Sequence, residues 1–218
     1  MNWNNKYRPQ YFNEMVGQKE AINYCQSCLQ HNEPIDHLLL KGDSGTGKTT
    51  LVNCIGNEFQ KQILKFSSSD YEKRGKDFIH KIIIPAMRNL SIDGTYKIIF
   101  IEECESLSKQ AQWELRTPLE DYGHLAKVIF ACNDDSNIHK AIKSRTTQFI
   151  FNQLSIKHMK TFMQKIITNE NVSIDEETLT TICERSNGDL RKATKMLKSH
   201  HYNALEFKND FEKMFARC

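Results

Sequence analysis

Residues 42–49 read Gly42-Asp43-Ser44-Gly45-Thr46-Gly47-Lys48-Thr49, and Thr50 follows. The string meets the pattern G-x-x-x-x-G-K-[ST] at every constrained position, with an apolar run before it and a helical pattern after it. Glycines allow the backbone to fold back so that several N–H groups point inward. Those groups, with the positive end of the following helix, bind phosphate. In this reading Lys48 reaches the β- and γ-phosphates, and the Thr49 hydroxyl ligates Mg²⁺. An ordinary glycine-rich turn before a helix is the plainer alternative; a full match in the required setting argues against it. The stretch predicts a nucleoside triphosphate site.

Working outward, four apolar runs rich in Ile, Val, Leu and Phe predict buried strands at 37–40, 63–66, 97–101 and 128–132, with a weaker fifth at 148–151. Helical patterns lie between them at 48–60, 77–89, 109–121 and 137–143. Strands alternating with helices predict an α/β domain with a parallel sheet covered on both faces. From Ser155 the strand signal stops. Ile156, Met159, Phe162, Met163, Ile166 and Ile167 share one helical face behind a Ser155 cap. Leu179 with Ile182, and Leu190, Ala193, Met196 with Leu197, mark two further helices. The expected organisation is an α/β domain over 1–152, a helical lid over 153–200 hinged at Asn152-Gln153-Leu154, and a tail over 201–218. That tail carries Phe207, Phe211, Met214 and Phe215 at helical spacing.

Composition narrows the class. The chain has 218 residues, 39% apolar and 26% charged, with only 9 Gly and 4 Pro, which excludes collagen-like and low-complexity chains. Thirty basic against 27 acidic residues leave a net charge of +3, which points to no particular partner. No apolar run approaches the roughly 18 residues of a membrane span. The opening MNWNNKYRPQ lacks the apolar core of a signal peptide, so the expected compartment is the cytoplasm. Cys25-x-x-Cys28 has a zinc-like spacing but no second pair, and both cysteines fall on the apolar stripe of a helix. Core packing is the simpler explanation.

Four further elements fit the phosphate loop. Lys97-Ile98-Ile99-Phe100-Ile101 ends in Glu102-Glu103; the first carboxylate suits a metal and the second an attacking water. Phe130-Ala131-Cys132 ends in Asn133, an amide able to orient that water. Ser144-Arg145 and Gly188-Asp189-Leu190-Arg191 each supply an arginine, whose planar fork suits phosphate oxygens. Alone, each of these would read as a charged strand end, a turn residue or a surface ion-pair partner.

The chain resembles AAA+ clamp-loader ATPases, namely replication factor C small subunits and the large subunit of bacteriophage clamp loaders. The resemblance rests on Lys6-Tyr7-Arg8-Pro9, Val16-Gly17-Gln18, Ser69-Asp70, Ala111-Gln112-Trp113-Glu114-Leu115-Arg116, Ala131-Cys132-Asn133, Ser144-Arg145 and Gly188-Asp189-Leu190-Arg191-Lys192-Ala193, in family order from residue 6 to about 198. It implies a P-loop NTPase fold with a five-stranded parallel sheet flanked by helices and followed by a small helical lid. Tyr7, Arg8, Val16 and Gly17 would line the adenine pocket. Glu103 would be the catalytic carboxylate and Asn133 the first sensor. Arg191 would be the second sensor, and Arg145 an arginine finger acting on a neighbouring subunit's nucleotide. The implied cofactors are ATP and Mg²⁺. The implied partners are other loader subunits in a hetero- or homo-oligomer, typically a pentamer, with a sliding clamp and primer–template DNA. Lys73, Arg74, Lys76, Lys109 and Arg116 are the candidate DNA contacts, salt-sensitive and blind to sequence; a solvated basic face is the alternative. Trp3 and Trp113 read as packing residues.

Two departures stand out. The family's metal-box Asp is Glu102 here, within Glu102-Glu103-Cys104-Glu105, so ATP binding is a firmer expectation than hydrolysis. Only residues 200–218 follow the lid, too few for the family's helical collar. An ATP-holding subunit that hydrolyses little, or another AAA+ DNA machine such as a helicase loader or branch-migration motor, therefore stays open beside the clamp-loader reading. The Asn-, Lys- and Ile-rich composition leans towards a bacteriophage source.

Overall fold

The computed structural model describes residues 2–68, 74–91 and 94–215, with side chains described as far as Asn203. The chain divides into two compact units. One is Pro9–Asn152; the other joins residues 1–8 to the chain from Gln153 onward. The expectation that residues 1–8 belong with the α/β domain is corrected. Helix α1 (Trp3–Lys6) carries a buried Trp3 that packs against the His201 ring at 5.6 Å, and Lys6 pairs with Glu170 at 2.6 Å.

The larger unit holds β1 (Leu38–Gly42), β2 (Ile63–Ser67), β3 (Lys97–Glu102), β4 (Ala126–Cys132) and β5 (Thr147–Phe151). They form one parallel sheet in the order β2-β3-β4-β1-β5. Successive residues of a strand face opposite sides, and here both sides are apolar. Leu39, Ile99, Ile101, Val128 and Phe130 join one core; Leu38, Leu40, Ile98, Phe100, Ile129 and Ala131 join the other. Burial on both faces is why these strands read as continuous apolar runs rather than alternating ones. Helices α2 (Lys19–Gln30) and α3 (Lys48–Glu58) supply Ala21, Ile22, Cys25, Leu51, Val52 and Ile55 to the second core. Cys25 is thus a packed residue, and burial pushes its thiol up to about 12.

Two of the expected helices are interrupted, each near a proline. Residues 109–121 form α6 (Lys109–Glu114) and α7 (Arg116–Asp121), broken at Leu115. Pro118 has no N–H to give the carbonyl four residues back, Glu114, and its ring crowds that carbonyl. Residues 76–88 form α4 (Lys76–Phe78) and α5 (Ile84–Arg88), joined by a wide π turn over Ile79–Ile83. Pro85 removes a hydrogen bond there for the same reason. The helix expected at 137–143 is limited to α8 (Lys140–Lys143).

His37, the residue before β1, is 8% exposed. Its Nε2 lies 2.8 Å from the Leu119 carbonyl, and its Nδ1 accepts from the Val128 N–H at 2.8 Å. Both bonds are satisfied by one neutral tautomer, and burial lowers its pKa accordingly.

The smaller unit is α9 (Ile156–Glu170), α10 (Glu176–Ser186) and α11 (Leu190–Phe215) with α1. Ser155 Oγ accepts from the His158 N–H at 3.3 Å, and Asp175 Oδ1 from the Thr178 N–H at 2.7 Å, each capping its helix. Met159, Phe162, Met163, Ile166, Leu179, Ile182, Ala193 and Leu197 are buried. At Gly188, φ is +79°, and an added Cβ would lie 2.7 Å from Gln153 Cβ and 2.8 Å from the Leu154 nitrogen, so only glycine fits. Helix α11 runs on past residue 200, so lid and tail share one element. The side chains of Phe207, Phe211, Met214 and Phe215 lie outside the described residues, as do Ser69, Asp70 and Lys73.

Candidate nucleotide-binding and catalytic site

Parallel register brings the carboxyl ends of β1, β3 and β4 side by side: Lys41 stands opposite Cys132, and Ser67 opposite Glu102. In open α/β sheets that edge is where ligands bind, and it is where Gly42, Glu102 and Asn133 emerge. Gly42 needs to be glycine. Its φ is +153°, and an added Cβ would fall 2.8 Å from Phe151 Cβ. The loop is held from within by Thr46 Oγ1, which donates to the Asp43 carbonyl at 2.8 Å. It is held from outside by Gln18, whose amide donates to the Thr46 carbonyl at 3.1 Å and to Asn152 at 2.7 Å. Gly17 and Gln18 both have positive φ, which turns the chain from Val16 into α2. Gln18 is thus a loop-positioning residue that sequence reading quoted without giving it a role.

Lys48 opens α3, and its Nζ donates to the Gly42 carbonyl, to the Asp43 carbonyl at 2.9 Å and to Asn133 Oδ1 at 3.4 Å. Thr49 Oγ1 donates to Glu102 Oε1 at 2.7 Å. Residues 49 and 102, far apart in sequence, therefore present adjacent hard oxygen donors. Among the described residues no cluster of three His, Cys, Asp or Glu is placed to hold a metal. A hydroxyl and one carboxylate leave the remaining positions to phosphate and water, the donor set that a small hard divalent cation takes.

Glu103 follows at φ +55°, an uncommon conformation for a residue with a side chain. Buried Ser68 at the end of β2 holds that turn, donating through Oγ to the carbonyls of Glu102 and Glu103 at 3.0 and 2.6 Å. The Glu103 side chain is exposed. Asn133 is fixed by Glu105, whose Oε1 accepts from the Asn133 backbone N–H at 3.0 Å and from Nδ2 at 3.2 Å. Accepting through Oδ1 and donating through Nδ2, Asn133 links Lys48 to Glu105. Sequence reading noted Glu105 only as part of a variant box; its signal was a carboxylate two residues beyond the catalytic candidate.

A second cluster was not foreseen. Asp135 Oδ1 pairs with Lys41 at 2.5 Å and Oδ2 with Lys143 at 2.6 Å, tying the end of β1 to α8. The Lys143 and Lys41 ammonium groups hold the Asp135 carboxyl down at about 2. Two residues beyond Lys143, Arg145 donates from Nη1 to the Ala141 carbonyl at 3.2 Å and to Ser144 Oγ at 3.3 Å, and its Nη2 pairs with Glu120 at 2.6 Å.

The other proposed nucleotide residues belong to the helical unit. The Tyr7 hydroxyl donates to Glu170 at 2.7 Å, Arg8 follows it, and Arg191 is exposed in the first turn of α11, where Asp189 Oδ1 accepts from the Arg191 and Lys192 N–H groups at 2.8 and 3.1 Å. Of the proposed DNA contacts, Arg74, Lys76, Lys109 and Arg116 are exposed, and Lys73 lies outside the described residues. Trp113 is corrected: it is 45% exposed, with the Arg116 guanidinium 4.6 Å above its ring.

The family described as the Holliday junction DNA helicase RuvB P-loop domain matches residues 7–149, and the RCF1/5-like AAA+ ATPase lid domain matches residues 161–201. Among curated proteins, the replication factor C small subunit of Methanococcus vannielii is 32% identical over 203 residues, 90% of this chain and 64% of its own length. That of Thermoplasma acidophilum is 34% identical over 203 residues, 90% of this chain and 63% of its length. Replication factor C subunit 3 of Oryza sativa subsp. japonica is 31% identical over 208 residues, 91% and 57%. The chain thus spans about three fifths of the relatives it matches. Among solved structures, the RuvB Holliday junction branch migration motor of Thermotoga maritima superposes with a TM-score of 0.75 at 23% identity, covering 88% of this chain and 64% of that one. That likeness is one of fold.

Proposed function

We propose, from the premise that this chain belongs to the AAA+ P-loop ATPases in the family of the RuvB P-loop domain, that it is the ATP-hydrolysing subunit of a DNA-replication sliding-clamp loader. The observation that carries hydrolysis is the convergence of Lys48, Thr49, Glu102 and Asn133 from three strand ends, with Glu105 fixing the asparagine. Support for the loader, rather than another AAA+ machine, comes from relatives named replication factor C at 31–34% identity over about 90% of the chain.

In this reading the loop amides of residues 44–49 and Lys48 bind the triphosphate, and Lys48 exchanges its loop carbonyls for phosphate oxygens. Thr49 and Glu102 hold Mg²⁺, which neutralises charge on the phosphates when bound. Glu103 accepts the proton of the attacking water, and Asn133 orients that water while restrained by Glu105. Val16, Gly17, Tyr7 and Arg8 enclose the base. Arg191 senses the γ-phosphate, and Arg145 acts on the nucleotide of an adjacent subunit. The subunit works in an oligomer, taken to be pentameric, that opens a ring-shaped clamp and sets it on primer–template DNA. Arg74, Lys76, Lys109 and Arg116, with Lys73, track the DNA phosphates. Among the described residues no helix is long and apolar enough to cross a membrane; the proposed compartment is the cytoplasm, of a host if the source is viral, or a eukaryotic nucleus.

The test is ATP turnover with primed DNA and the candidate clamp added singly and together. Joint stimulation is expected; turnover indifferent to both would overturn the reading. A second reading, a branch-migration motor, is favoured by the family match over 7–149. Stimulation by a four-way junction and not by primed DNA would establish it instead.

A further inference from the structure

Arg145 is not presented as an available cation. Nη1 is committed to the Ala141 carbonyl in α8 and to Ser144 just past its end, Nη2 to Glu120, and Nε is buried without a partner among the described residues. The Arg145 side chain is 24% exposed, whereas the Glu120 carboxylate is 60% exposed. We propose that Glu120 is a positioning residue that stows the Arg145 guanidinium in the lone subunit and yields it to a neighbouring subunit's triphosphate on assembly.

The inference rests on the trans-acting reading of Arg145, and its chemistry is competition between like anions. A carboxylate and a phosphoryl group each offer two oxygens to the same planar fork. While Glu120 occupies Nη2, the edge formed by Nη2 and Nε is closed, because Nε faces protein and not solvent. Leaving Glu120 frees that edge, and a phosphate then satisfies the donor that the stowed form leaves unpaired. The stowed state is thus incomplete in hydrogen bonding and is displaced without loss of a saturated network. The backbone need not move. Lys143 holds α8 to Asp135, and Asp135 holds Lys41 at the end of β1, so the release is a rotation of one side chain. A decorative surface pair would behave otherwise: an ion pair with a solvated carboxylate contributes little to stability, and its loss would leave assembly-dependent turnover untouched.

The test compares Glu120→Gln, Glu120→Asp, Arg145→Ala and the Glu120→Gln/Arg145→Ala double variant with the unaltered chain. ATP turnover is measured against subunit concentration in the reconstituted complex with clamp and primed DNA. Nucleotide affinity is measured separately on the dilute subunit. Removing the competing charge with Glu120→Gln should lower the subunit concentration for half-maximal turnover by about 2- to 5-fold, the range an exposed pair supports. Plateau turnover and dilute-subunit affinity should not change. Glu120→Asp should restore the original curve, and the shift should vanish without Arg145. An unshifted curve, or a lower plateau, overturns the stowing role while leaving the finger intact. Full turnover by Arg145→Ala overturns the finger, and the stowing role with it.

Discussion

Around residues 42–49 the polar groups already have their places. Gln18 and Thr46 brace the loop, Lys48 spans its carbonyls and Asn133, and Thr49 meets Glu102. At the corner bearing Arg145, Nε is buried without a partner among the described residues, and the charge is shared with a carboxylate that is 60% exposed. The first region is braced within one chain, although Glu105 Oε2 there is also buried without a partner among the described residues. The difference lies in where the partners come from: the loop's polar groups meet Gln18, Glu102 and Asn133 from distant parts of the chain, whereas Arg145 meets residues 141 and 144 beside it and a solvated carboxylate.

The widest test of that contrast is Arg145→Ala. Turnover of the assembled complex should fall by about 10³-fold, the lower end for a lost arginine finger, while ATP affinity of the dilute subunit stays as it was. A loss of affinity there would place Arg145 on its own nucleotide and dissolve the distinction. Lys48→Ala should do the opposite, weakening ATP binding by the dilute subunit about 100-fold, the scale of a charge-assisted contact to phosphate; titration with a fluorescent ATP analogue reads it. Unchanged affinity would remove the phosphate-loop assignment. Glu102→Asp should keep or raise hydrolysis, since Asp is the residue that the resembling clamp-loader ATPases carry at this position. A large loss in steady-state turnover would mean the site is built around the longer side chain.

The smallest effect lies at Asp135, where the two regions meet. Its folded pKa is depressed to about 2 by Lys143 and Lys41, below the ordinary 3.8. The stability it contributes is therefore whole above the ordinary value and is lost as pH falls from there towards 2, because the unfolded chain takes up the proton first. Denaturant unfolding across that interval should show a steeper acid loss for the unaltered chain than for Asp135→Asn. Coincident slopes would mean the bridge does not persist in solution.

Legibility followed the range of the interaction. The phosphate loop was readable because its geometry demands glycine and lysine at fixed local spacing, and the strands because burial on both faces leaves unbroken apolar runs. The helix break at Leu115 is also local in cause, yet Pro118 sits inside an otherwise helical pattern that masks it. What sequence did not disclose were pairings between ordinary charged residues far apart in the chain: Glu105 with Asn133, Asp135 with Lys41, Glu120 with Arg145, Lys6 with Glu170. Nothing in a lone Glu or Lys says which distant partner the fold will bring to it. The packing of residues 1–8 on the helical unit was hidden for the same reason.

The Lys41–Asp135–Lys143 bridge has a consequence for timing. Lys41 precedes the glycine loop directly, and Lys143 lies on the helix that ends beside Arg145. In the proposed oligomer, a displacement of the loop on phosphate cleavage would be passed along this bridge to the helix that precedes Arg145, and so from one pocket to the next. Because that path runs through partly solvated charges, raised ionic strength would weaken it and leave the pockets of such an oligomer to fire independently.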